Sequence, residues 1–227
     1  GKTFDTLDEH PFPRALLAKL RELARGKFVE GAFNVLAFGG PGVGKSHALA
    51  AVGHALVEQG HSVLWAPTYE VVQELLAARR DMRLPRALRR YDVFDALILD
   101  DLGYIQQSPE EAEVLFTLMA ERYERRSLLV SSNLVFSEWD RIFKNPMTTL
   151  AAVDRIVHHA VILEFNPMKS YRGTEAQQRA QRGHDAASDS SAPTTNKPRT
   201  AKAARVAAAS TAGDNNDNND NNDGDEE

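Results

Sequence analysis

The stretch Gly39-Gly40-Pro41-Gly42-Val43-Gly44-Lys45-Ser46 matches the phosphate-loop pattern G-x-x-x-x-G-K-S/T at every fixed position. Its flanks agree with it. Asn34-Val35-Leu36-Ala37-Phe38 is a short apolar run of the kind that forms a buried parallel strand. Residues 45–59 carry helical spacing at Leu49, Val52 and Leu56, and Gly60 stops them. Strand, glycine loop and helix in this order constrain the fold more than any other feature. Glycines let the backbone turn tightly and present a row of N–H groups to phosphates, and the positive end of the following helix adds to that attraction. Lys45 then reaches the β- and γ-phosphates, and the Ser46 hydroxyl ligates the magnesium ion between them.

A second acidic element completes a nucleotide-hydrolysis site. Asp95-Ala96-Leu97-Ile98-Leu99-Asp100-Asp101 reads as a strand ending in two carboxylates. At the carboxyl end of a parallel strand beside a phosphate loop, one acid holds magnesium through water and its neighbour polarises the attacking water. Asp100 is assigned to the metal and Asp101 to the water. Leu128-Leu129-Val130-Ser131-Ser132-Asn133 brings a polar end to the same sheet edge, where Asn133 can hydrogen-bond the water or the γ-phosphate.

The remaining elements follow in order. Pro11 and Pro13 hold the lead-in away from helix, and Phe4 within it either lies against a nucleotide base or simply packs. Leu16, Leu20 and Leu23 mark a helix that Gly26 stops. Ser62-Val63-Leu64-Trp65-Ala66 is a strand, and residues 69–80 form a helix with Val72, Leu75 and Leu76 inward. Arg79, Arg80, Arg83, Arg86, Arg89 and Arg90 then crowd into twelve residues. Such a run is either a solvated helical face or a phosphate-contact strip, because guanidinium forks suit nucleic-acid backbones. Ser108-Pro109-Glu110-Glu111 reads as a capped helix start. Residues 136–139 open another helix, Asn145-Pro146 breaks the chain, residues 150–159 form a helix, and Val161-Ile162-Leu163-Glu164-Phe165 is a fifth strand. His158 and His159, as helix neighbours, diverge and are read as surface or packing groups rather than metal ligands. Five strands separated by helices imply a three-layer α/β fold around a parallel sheet with right-handed crossovers.

Composition places the boundary of this unit. The whole chain of 227 residues carries a net charge of −5, and the segment from 175 onward, with 6 basic and 10 acidic residues, carries most of it. Residues 1–174 are therefore expected to form the ATPase domain. Residues 175–227, rich in Ala, Ser, Asp and Asn, are expected to be a disordered acidic tail without catalytic role. There is no cysteine, hence no disulfide or thiolate metal site, and no apolar run long enough for a membrane span; a soluble, cytoplasmic protein is expected. The chain opens at Gly1 rather than Met, which reads as a cut N-terminus.

Several motifs go beyond fold. Residues 39–46, Ile98-Leu99-Asp100-Asp101-Leu102-Gly103, Glu121-Arg122-Tyr123-Glu124-Arg125-Arg126-Ser127, Ser132-Asn133-Leu134-Val135-Phe136-Ser137-Glu138-Trp139 and Asp154-Arg155-Ile156-Val157-His158-His159 together resemble the IstB family. These are helper ATPases of certain bacterial insertion sequences, similar to the helicase loader DnaC and part of the AAA+ superfamily. The resemblance spans roughly residues 2–174. It implies a P-loop NTPase of AAA+ type that takes ATP and Mg2+, binds double-stranded DNA and engages a transposase. A replicative helicase is the alternative partner, and a nucleotide-switched module without useful turnover a further reading. By the same likeness Lys45, Asp101, Asn133 and Arg155 are the catalytic set, with Asn133 as first sensor. Arg155 is then an arginine finger acting on ATP held by the neighbouring subunit of a homo-oligomer; from the residues alone, an intramolecular pair with Asp154 reads better. The arginine strip matches a DNA-gripping helical insertion. Two departures stand out: Asp101 occupies a position where many AAA+ proteins have Glu, and no helical lid follows Arg172.

Overall fold

The computed structural model describes residues 1–165 apart from 11, 105–106 and 144–145; the side chains of 136, 146 and 148 also lie outside the description. The expectations placed on Arg172, on a lid and on residues 175–227 fall beyond these residues.

Five strands form one wholly parallel sheet: β1 Asn34–Phe38, β2 Val63–Pro67, β3 Ala96–Leu102, β4 Ser127–Ser132 and β5 Ala160–Glu164, in the order β2-β3-β4-β1-β5. The helices are α1 Arg14–Leu23, α2 Lys27–Glu30, α3 Lys45–Glu58, α4 Thr68–Arg80, α5 Leu84–Asp92, α6 Pro109–Arg122, α7 Asp140–Phe143 and α8 Pro146–Val157. Alternation along the strands feeds two cores. Val35, Ala37, Ile98 and Leu129 face α1 and α3, whereas Leu36, Phe38, Leu97, Leu99, Leu128 and Val130 face α4, α5, α6 and α8. All five residues of β1 are buried, as expected of a strand covered on both faces.

Local signals account for most boundaries. At α6 the Ser108 hydroxyl accepts from the Glu111 amide at 3.2 Å, and the Glu111 carboxylate accepts from the Ser108 amide at 2.7 Å, so the capping box closes both ways. Three expectations are corrected. Residues 136–139 do not open a regular helix but a short 3-10 turn, Phe136–Glu138, ahead of α7. Pro146 starts α8 instead of breaking the chain, since the first helical position needs no amide hydrogen. And α8 ends at Val157, so His158 and His159 sit in a turn and need not diverge.

Within the 121–127 motif, Arg122 is only 1% exposed. Its guanidinium donates to the carbonyls of Tyr91 at 2.7 Å, Phe94 at 2.9 Å and Ser127 at 3.1 Å, joining the end of α5 to the start of β4. Burial pushes its pKa down to about 10, still protonated at neutral pH. Arg122→Met keeps the stem but removes all three hydrogen bonds that the guanidinium donates. The expected cost is about 3–5 kcal/mol in urea unfolding with an unchanged m-value, and a loss below about 1 kcal/mol would contradict this role.

Candidate functional site

The phosphate loop joins the end of β1 to the start of α3. Gly42 and Gly44 have φ of 76° and 95°, backbone that a side chain would strain, and a Cβ on Gly44 would come within 2.9 Å of the Phe12 ring. The Lys45 ammonium is buried and donates to the carbonyls of Gly39 at 2.7 Å and Gly40 at 2.8 Å. The Gly39 amide donates to Ser132 at 3.3 Å, which ties the loop to the end of β4.

A cleft of about 540 Å³ opens over this loop, within the size range of small-molecule sites. Gly42, Gly44, Lys45, Ser46, Asp101 and Asn133 all line it. Residues from three strand ends thus meet at the carboxyl edge of the sheet, where α/β folds place ligands.

The two carboxylates hold different positions. Asp100 is 6% exposed, and its side chain accepts a hydrogen bond from the Ser131 hydroxyl. Asp101, at φ 58°, lies in an irregularity of the β3–β4 register between Leu99 and Leu102, and it is exposed to the cleft. Strain at that residue turns its carboxylate toward the loop while the chain rejoins the sheet at Leu102. The Ser131 oxygen also accepts from the Asp101 amide at 2.9 Å, so one hydroxyl fixes both acids. Thr68 donates to the Asp100 carbonyl at 2.7 Å. Neither Ser131 nor Thr68 is singled out by the sequence pattern; its one signal is a hydroxyl beside Asn133 at the polar end of an apolar strand.

Phe4 packs into the core on the α1–α3 face, so the packing alternative holds for it. The lead-in instead contributes Leu7 and Phe12 to the cleft wall, and the Thr6 hydroxyl lies 3.2 Å from His47 Nε2.

Arg155 is absent from the described lining of the cleft. Its guanidinium stacks over the Phe116 ring at 5.0 Å, and no ion pair joins it to Asp154 among the described residues. The six arginines of the strip divide. Arg79 pairs with Glu113 at 2.9 Å and Arg90 with Glu74 at 2.7 Å, whereas Arg80, Arg83, Arg86 and Arg89 are exposed and have no acidic partner among the described residues. The described residues contain no helix long and apolar enough to cross a membrane.

The loop, the acid pair and the strand order together describe a three-layer P-loop NTPase fold of AAA+ type. The model of the IstB-like ATP binding proteins matches residues 2–180. The chain belongs to that family. An insertion-sequence ATP-binding protein of Sinorhizobium fredii is 46% identical to it over 190 residues, covering 82% of this chain and 63% of the relative. The IstB-like chain therefore spans less than two thirds of that relative's length. Its fold is similar to that of DnaI, with a TM-score of 0.60 at 19% identity over 74% of this chain and 90% of the other. It is also similar to the DnaC helicase loader, with a TM-score of 0.54 at 21% identity over 66% and 88%. At these identities the two likenesses concern the fold alone.

Proposed function

We propose that this chain is a cytoplasmic, ATP-hydrolysing helper of transposition that assembles as a homo-oligomer on double-stranded DNA and engages a transposase. The observation that carries the reading is the convergence of the phosphate loop, Ser46, Asp101 and Asn133 on one cleft, while Arg155 and the unpaired arginines face elsewhere. The insertion-sequence relative supports a transposase as the partner, in preference to the replicative helicase that the DnaC likeness would suggest.

Amides at the start of α3 and the Lys45 ammonium hold the β- and γ-phosphates. Asp101 accepts a hydrogen bond from the attacking water and aligns it with the γ-phosphorus, and the Asn133 amide steadies the water or a γ-oxygen. The donor set fits a hard cation: a hydroxyl at Ser46 and a buried carboxylate at Asp100 held by Ser131. Ser46, and Asp100 through water, would hold a magnesium ion there, which would supply charge neutralisation at the phosphate oxygens. Arg155 completes the site of a neighbouring subunit, which makes turnover depend on assembly.

The DNA reading is tested on the arginines that lack an internal partner. The intact chain is expected to bind duplex DNA in the presence of ATP and magnesium with a steep salt slope. Replacing Arg80, Arg83, Arg86 and Arg89 by Ala should flatten that slope by up to about 3–4, close to one unit for each phosphate no longer neutralised. Fluorescence anisotropy across a salt series measures this. An unchanged slope would move the DNA away from α4 and α5, and no DNA binding in any nucleotide state would remove the DNA-assembled helper.

A further inference from the structure

The turn after α6 and the turn after α8 bring three metal-ligating side chains together on the side of the sheet opposite the phosphate loop. Glu124 lies just before β4, and His158 and His159 lie just before β5; these strands flank β1 in the sheet. His158 Nδ1 is 3.8 Å and His159 Nε2 is 3.7 Å from Glu124 Oε1, and the ligating atoms of all three residues lie within 4.8 Å of one another.

We propose that Glu124, His158 and His159 form a binding site for Zn2+. In a tetrahedral zinc site with bonds of about 2.0–2.2 Å, ligand atoms sit roughly 3.3–3.5 Å apart. The two distances to Glu124 therefore need to shorten by only a few tenths of an ångström, which side-chain rotation supplies at an exposed site. Two imidazoles and one carboxylate suit zinc, and two nitrogen ligands disfavour the magnesium that the nucleotide cleft takes.

The surroundings preset the geometry. Glu124 has a φ of 55°, and its carboxylate lies within 3.8 Å of both histidines of the α8–β5 turn. The His159 ring stacks on Phe33 with centroids 5.3 Å apart, and the Tyr123 hydroxyl lies 3.0 Å from His158 Nδ1. On metal binding that hydroxyl leaves Nδ1 and donates to the carboxylate. The ion would clasp the start of β4 to the start of β5 across Phe33, three to four residues beyond Arg155.

The site is tested by titrating Zn2+ into the nucleotide-free intact chain at pH 7.5 against a competing chromophoric chelator. The wild type is expected to take up one equivalent with micromolar or tighter affinity. Glu124→Gln should weaken it at least about tenfold, and the double variant His158→Ala/His159→Ala should remove it. All three side chains are exposed, so circular dichroism is expected to show unchanged folds; a variant that loses its fold is replaced by His159→Gln alone, for which the same loss is required. X-ray absorption at the zinc edge should report two imidazole ligands in the wild type and none in the double variant. No saturable uptake by the wild type, or equal affinity in the double variant, would overturn the proposal; the latter would place the metal on other histidines such as His47 or His54.

Discussion

Lys45→Ala is expected to lose ATP binding by a hundredfold or more. The ammonium is buried within the loop, and charge-assisted hydrogen bonds to two phosphates at roughly 1.5–3 kcal/mol each amount to at least two orders of magnitude in affinity. The same residue donates to the carbonyls of Gly39, which is buried, and Gly40, which is partly exposed, so the substitution also removes two contacts within the loop itself. Titration with a fluorescent ATP analogue in magnesium buffer, beside circular dichroism of the variant, separates the two effects. Wild-type affinity in a folded Lys45→Ala protein would remove the loop from the nucleotide site.

Arg155→Ala is expected to bind ATP normally and to turn it over about a thousandfold more slowly, the effect typical of a lost arginine finger. Its stacking on Phe116 contributes only about 0.5–1 kcal/mol, too little to unfold the chain or disturb the cleft. Mixing gives the sharper readout. Lys45→Ala subunits still offer Arg155, and Arg155→Ala subunits still offer a working loop, so equimolar mixtures should recover part of the activity that neither variant has alone. If the mixture stays inactive, or if Arg155→Ala binds ATP as poorly as Lys45→Ala, the residue does not act across subunits.

The strands are readable from short apolar runs because a parallel sheet covered on both faces has no polar side to hide. The loop and acid pair are legible because their chemistry needs fixed residue types at fixed spacing. What local pattern cannot carry is pairing over distance. Nothing in the run Ser131-Ser132-Asn133 distinguishes the hydroxyl that holds Asp100 and the Asp101 amide from one that merely ends a strand. Similarly, Arg79 and Arg90 look the same as Arg83 and Arg86 until Glu113 and Glu74, distant in the chain, neutralise them. The histidine pair misleads for a local reason: helical spacing separates neighbouring side chains, but α8 has already ended before them, and a turn lets them converge. Phe12 on Gly44 depends on how the lead-in crosses the loop, which prolines restrict but do not direct.

Helix α6 joins α4, α5 and α8, the three helices that carry the arginine strip and Arg155. Phe116 carries Arg155, Glu113 holds Arg79 of α4, and Arg122 grips the carbonyl of Tyr91 in α5. From Phe116 to Arg122 is six residues of helix, about 9 Å of stiff rod. With Arg155 engaged by a neighbour's nucleotide and the arginines of α5 on DNA, a shift at one end reaches the other as the swing of a strut, with no hinge in between to absorb it. Each hydrolysis event would then be felt by the duplex as torque.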